Sequence, residues 1–135
     1  MVLLRGYLEV HVVEAEGLPN LDKSKKHPED MSDPQVIVKV FDGKKATKIG
    51  KSHTVQNCLN PKWHYSFRMD IDQDVREVIF DVVDIDRFKS DKMGSCSVGS
   101  SRFMSEGGFE GQLVLQDKKG NPSGKLTVKI QYTAK

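Results

Sequence analysis

Asp84 and Asp86 stand one residue apart where an apolar run ends, and Asp91 follows across a short polar stretch. On an extended chain the first two carboxylates leave the same face about 7 Å apart. Carboxylates crowded in this way repel one another unless a positive charge sits between them. An all-oxygen donor set suits a hard cation, and Ca²⁺, with its roughly 6–8 oxygen ligands, is the natural occupant. Two other chemistries use similar spacings. Phosphotransferases with an Asp-x-Asp motif carry it near the start of an α/β chain, whereas here Arg87-Phe88 follows and no helical pattern exists. A helix-loop-helix calcium site would need an oxygen donor where Phe88 stands and a glycine where Lys89 stands. Turn chemistry alone also employs aspartate, so the question is how many acids reach one place.

The element that carries this pair is Val78 to Val83, β-branched and aromatic, with Val78, Phe80 and Val82 on one face. That pattern predicts a strand. Seven further strands are expected from alternating or apolar runs: Tyr7 to about Glu16, Pro34 to Phe41, Ala46 to about Val55, Trp63 to Ile71, a run through Cys96 and Val98, Gln112 to Gln116, and Lys125 to Tyr132. Asp42-Gly43 is a hairpin signal. Residues 72–74 read as a polar connection and 85–92 as a loop. Eight short strands without a helix longer than a turn or two predict a single all-β domain over 1–135, an eight-stranded antiparallel β-sandwich. Alternating strand direction puts the connections after strands one, three, five and seven at one end. The acidic exit of strand five then meets Asp22, Asp30 and Asp33 of the first loop, while Asp42, Asp70, Asp72 and Asp74 fall at the opposite end.

Composition narrows the functional classes. The 135 residues carry a net charge of +2, with lysines concentrated between residues 39 and 51. Near-neutrality, and the lack of surface aromatics among those lysines, argue against nucleic acid. Two cysteines, Cys58 and Cys96, make no disulfide framework and fit a reducing, cytoplasmic setting. No apolar run approaches about 18 residues, so membrane contact is expected to be peripheral. His11, His27, His53 and His64 are scattered, and no Ser, Cys or Lys stands beside a base, so no enzyme is expected.

The motifs Gly6-Tyr7-Leu8-Glu9-Val10, Ala15-Glu16-Gly17-Leu18, Ser32-Asp33-Pro34, Asn60-Pro61-Lys62-Trp63 and Asp84-Ile85-Asp86-Arg87-Phe88, closing at Asp91-Lys92-Met93-Gly94, together resemble the C2 domain, the calcium-dependent phospholipid-binding module. The resemblance spans about Gly6 to Tyr132. Gly124-Lys125-Leu126-Thr127-Val128 closes the chain rather than opening it, which matches the circularly permuted, phospholipase-type (type II) Greek key. The resemblance implies calcium ligands at Asp33, Asp84, Asp86 and Asp91, with Asp22, or Asp30 in its place, completing the set. It further implies a signalling module, acting as a monomer, that binds phosphatidylserine-rich membranes.

Met31 and Phe88 lie on expected loop tips with no core to enter, and full burial of such a side chain in a lipid interface gains about 1.5–3 kcal/mol. Lys89 and Lys92, with Lys23, Lys25 and Lys26, surround the acids and suit an anionic leaflet. Lys39, Lys44, Lys45 and Lys48, followed by Lys51, resemble the phosphoinositide-binding face of some family members. A protein partner on the lysine face or a strand edge, independent of calcium, is the alternative.

Overall fold

The structure, a computed structural model, describes residues 2–21, 31–86 and 90–135. Asp22, Asp30, Phe88 and Lys89 lie outside the described residues, as do Lys23, Lys25 and Lys26. Eight strands follow in order: β1 (Val2–Glu16), β2 (Pro34–Phe41), β3 (Ala46–Lys51), β4 (Lys62–Val75), β5 (Glu77–Ile85), β6 (Ser90–Gly99), β7 (Phe109–Gln116) and β8 (Pro122–Ala134). One helical turn, α1 (Ser100–Phe103), separates β6 from β7.

The hydrogen-bonded order is β3-β2-β5-β6-β7-β8-β1-β4, antiparallel throughout. β6 and β7 share a single residue pair, Ser95 with Gln116, so the ladder folds there into two four-stranded layers. Their inner faces meet in one apolar core. Phe80, Val36, Val38, Val82 and Val98 from the first layer are fully buried with Leu8, Val10, Leu115, Val128 and Ile130 from the second. Trp63 is buried in this core, as its place on the apolar face of β4 requires. The permuted topology is present: β8 lies between β7 and β1, with Lys125 opposite Glu16.

The connections after β1, β3, β5 and β7 do gather at one end. The Ala15 amide donates to the Pro61 carbonyl, Leu18 to Leu59 and Cys58 to Ser32, while the Cβ of any side chain at Gly124 would meet the Glu16 carbonyl oxygen. Several strand limits differ from the expectation. β1 begins at Val2, and its first residues pair with Asp72, Gln73 and Asp74, so β4 runs through the acids expected to form a connection. Asp70, Asp72 and Asp74 therefore lie on the exposed side of a strand, Asp72 paired with Arg5 at 3.2 Å, and only Asp42 occupies an end turn. β3 stops at Lys51, although the Ser52 and Val55 amides still donate to Val36 and Pro34. The expected 85–92 loop is shorter, because Ser90 and Asp91 already pair with Ile85 and Asp84.

Gly6 lies where β1 is sandwiched between β4 and β8, opposite Ile71 and Ala134, and a Cβ there would collide with the Thr133 carbonyl oxygen. Backbone cannot yield as a flexible side chain can. Gly6→Ala is expected to lower unfolding stability by about 1–3 kcal/mol, measured by urea denaturation. A stability equal to the parent's would contradict the close approach.

Candidate functional site

The acidic tip is assembled by register. Asp84, near the end of β5, faces Pro34 across β2 on one side and Asp91 across β6 on the other. Asp33 precedes Pro34, so three of the expected ligands stand on adjacent backbones, and Asp86 follows two residues beyond Asp84. Asp84 is 1% exposed, and its Oδ1 accepts the Asp33 amide at 2.9 Å. The Ile85 amide donates to the Asp33 carbonyl at 3.0 Å. Asp33 in turn accepts the Asn57 amide through Oδ1 at 2.6 Å. These bonds tie the end of the first loop to β5 and to the loop after β3.

The motif residues around the tip are structural ties. Ser32 is fully buried, its hydroxyl donating to the Pro19 carbonyl at 3.1 Å and accepting the Leu21 amide at 2.8 Å, which closes the base of the first loop. Asn60 accepts the Gly17 amide through Oδ1 at 2.9 Å, and Met31 donates its amide to the Asn57 side chain. Met31 itself is 40% exposed beside the acids.

Oxygen donors of this kind suit a hard cation, yet among the described residues no three acidic, histidine or cysteine side chains are gathered closely enough to hold a metal ion. The backbones converge, whereas the Asp33 and Asp84 carboxylates each engage a neighbouring amide. Asp91 lies on a strand rather than on a loop. Among the described residues no lysine or arginine forms an ion pair with Asp33 or Asp84.

A second charged system occupies the outer face of the β3-β2-β5-β6 layer. Lys39 on β2 reaches Asp81 on β5 at 2.9 Å, Lys92 on β6 reaches it at 3.5 Å, and the Ser95 hydroxyl donates to it at 2.8 Å. Asp81 is only 7% exposed. Burial pushes its pKa up, but the hydrogen bonds from Lys39 and Ser95 and the charge of Lys92 outweigh that and hold it below the ordinary 3.8. Burial, with Asp81 nearby, pushes the adjacent Cys96 thiol up to about 12, so it stays protonated and is a poor nucleophile.

The structure divides the expected lysine face. Lys48 stands opposite Lys39 on the sheet, while Lys44 and Lys45 sit in the β2–β3 turn, their amides donating to Asp42 at the end away from the acidic tip. Lys92, expected beside the tip loops, turns onto the outer face. Two features go beyond the sequence reading. Asp81 is one polar residue in the otherwise apolar run Val78 to Val83, and an acid inside a central strand is itself a signal, since it needs a partner. The turn after β7 places Lys118 and Lys119 with Leu21, Asp91, Lys92 and Asn121 around a cleft of about 500 Å³ at the tip. The shared end of the odd-numbered connections is the signal that could reveal those lysines.

The two-layer antiparallel sandwich has an acidic tip and a basic outer face, and the family model for the C2 domain matches residues 6–115: the chain belongs to the C2 domain family. Synaptotagmin-4 of Arabidopsis thaliana is 33% identical over 133 residues, covering 98% of this chain and 21% of that protein. Phospholipase D gamma 1 of the same plant is 28% identical over 152 residues, covering 97% of this chain and 17% of that enzyme. The chain thus spans about a fifth of the length of the curated relatives it matches. Among solved structures, a single C2 domain of plant Extended Synaptotagmin 1 shares the fold with a TM-score of 0.77 at 24% identity, covering 98% of this chain and 97% of that one. The tandem C2 domains of Extended-Synaptotagmin 2, solved with calcium bound, give 0.78 at 24% identity, covering 99% and 48%. Among the described residues no helix is long and apolar enough to cross a membrane.

The depressed pKa of Asp81 has a measurable consequence. A carboxylate that binds protons less readily in the folded than in the unfolded state adds stability above its unfolded pKa, and that contribution fades as pH falls through the folded value. Asp81→Asn is expected to cost about 1 kcal/mol near neutral pH. In urea titrations the gap between variant and parent should close as pH falls below 3.8. A gap that persists undiminished in acid would show that the ion pairs are not its source.

Proposed function

We propose that this chain is a calcium-dependent module that targets anionic phospholipid membranes peripherally, from the cytoplasm, through the tip where the connections after β1 and β5 meet. The observation that carries the reading is the register that sets Asp33, Asp84 and Asp91 on neighbouring backbones, with Asp86 close behind. Asp33, Asp84, Asp86 and Asp91 would hold the ion, with Asp22 or Asp30 contributing from the first loop. Bound Ca²⁺ would supply positive charge and open coordination positions to a lipid phosphate. The chain's own part is electrostatic and local. Unneutralised acids repel phosphatidylserine; Met31, and Phe88 from the connection after β5, offer apolar surface to the interface; Lys118 and Lys119 supply cations near the leaflet, each contributing about 1 kcal/mol.

The outer face, led by Lys39 and Lys48, is the second contact, and its chemistry suits phosphoinositide headgroups. Lys44 and Lys45 extend the same charge toward the far turn. The module acts as a monomer and carries no catalytic role of its own. The matches to phospholipases D, which span under a fifth of those enzymes, accord with a targeting part rather than an active site. A calcium-independent protein-binding role is the alternative, favoured by the amide bonds that occupy Asp33 and Asp84.

Asp84→Asn combined with Asp86→Asn tests the reading by co-sedimentation with phosphatidylserine vesicles. The parent should pellet in calcium and stay soluble in chelator, and the double variant should lose at least about tenfold in apparent affinity, the equivalent of about 1.4 kcal/mol. Equal binding by both proteins with the same calcium dependence overturns the proposal. An absence of heat when calcium is titrated into the parent, with and without vesicles, favours the protein-binding alternative.

A further inference from the structure

We propose that Asp81 is the resident counter-ion of the basic outer face and sets how tightly that face binds a phosphorylated lipid headgroup. The inference rests on the phosphoinositide reading of the face and adds a residue that opposes it. Lys39 comes from β2 and Lys92 from β6, on either side of β5, and both turn toward one carboxylate between them at 2.9 and 3.5 Å. The Ser95 hydroxyl fixes that carboxylate from the β6 side at 2.8 Å. Lys48, opposite Lys39 across β2 and β3, adds a third cation to the same region.

The position of Lys92 is not fortuitous. A bulge at Met93 shifts the β5–β6 register, so Val82 faces Gly94 while Val83 faces Lys92. Met93 and Gly94 are consecutive and both buried. Without the extra residue, Lys92 and Ser95 would point to opposite faces of the sheet. With it, both reach Asp81. A Cβ on Gly94 would collide with the Ser123 hydroxyl and the Leu115 Cβ, so the close approach at the bulge requires glycine.

A carboxylate held by two ammoniums and a hydroxyl occupies the place a phosphate oxygen would take. Each ammonium has three N–H groups, and one directed at Asp81 leaves two for an incoming ligand. A headgroup phosphate therefore meets lysines already gathered but partly neutralised: two positive charges less one negative leave +1 at this point. A phosphomonoester, near −2 as on a phosphorylated side chain, gains more from two ammoniums than a phosphodiester with a single charge. Asp81 repels either. Removing one negative charge about 4 Å from a bound anion is worth about fivefold in affinity even in bulk water. In the half-buried setting of this face, the gain is at least that large.

The experiment is co-sedimentation of the full chain in chelator, which silences the acidic tip, with phosphatidylcholine vesicles containing or lacking phosphatidylinositol bisphosphate. Asp81→Asn is expected to tighten binding to the phosphoinositide vesicles about fivefold or more, and soluble inositol phosphate should abolish the gain. Lys39→Met with Lys92→Met should weaken binding, and Asp81→Asn placed on that background should restore nothing. Asp81→Thr, β-branched and suited to a central strand, takes the place of the amide variant if the latter does not fold. A folded Asp81 variant that binds no tighter than the parent, or whose gain survives soluble inositol phosphate or the loss of both lysines, overturns the inference. If the lysine variants also bind like the parent, the phosphoinositide reading of the face falls with it.

Discussion

The hydrogen bond from the Asp33 amide to the Asp84 carboxylate is the constraint on which the tip depends. A carboxylate 1% exposed is costly to bury without partners, and this bond offsets part of that cost. It also fixes where the first loop ends. With Pro34 opposite Asp84, β2 starts in register with the edge of the core, and the inward set Val36, Val38 and Val40 follows without a slip. A shift of one residue would turn those three valines to solvent. The acid that marks the candidate cation site therefore also sets the register of the central pair of strands, and a single requirement, a buried partner for Asp84, shapes both.

β5 joins two charged systems that face different ways. Its even residues from Val78 to Val82 point into the core, and Asp84 continues that side past the core's edge. Asp81 lies on the other side, between the lysines of β2 and β6. The two acids meet different fates because of what surrounds them. Asp81 has cations within reach and a depressed pKa, a settled ion-pair group. Asp84 has the Asp33 amide for a partner and, among the described residues, no cation. Geometry thus separates an acid already paired with cations from one that, among the described residues, is paired with an amide alone.

What the sequence disclosed follows from period and from turn chemistry. Strand alternation placed Trp63, Phe80 and Val128 in the core, and the alternation of strand direction gathered the connections after strands one, three, five and seven at one end without any side-chain detail. The limits of β1 and β4 were missed because Asp72 and Asp74 look like a polar turn. They are tolerated in a strand because that side of β4 is exposed and Arg5 answers Asp72. The destination of Lys92 was not legible either. A bulge inserts one residue without changing composition or local polarity, so period counting beyond Met93 points every side chain to the wrong face.

That bulge does more than redirect a lysine. By restoring the inward direction after Met93 it lets Asp91 align with Asp84 across the β5–β6 pair, at the tip, while Lys92 turns outward. One inserted residue therefore assigns adjacent opposite charges to different tasks, the acid to the tip and the base to the sheet face. Were the pair to run in regular register, Asp91 and Lys92 would exchange faces, and the tip would hold an ammonium where an additional carboxylate now stands. An ammonium beside Asp84 would satisfy that carboxylate internally and remove the electrostatic reason for a cation to bind there. The polarity of both surfaces thus depends on backbone geometry at a position whose own side chain, Met93, is buried and carries no charge.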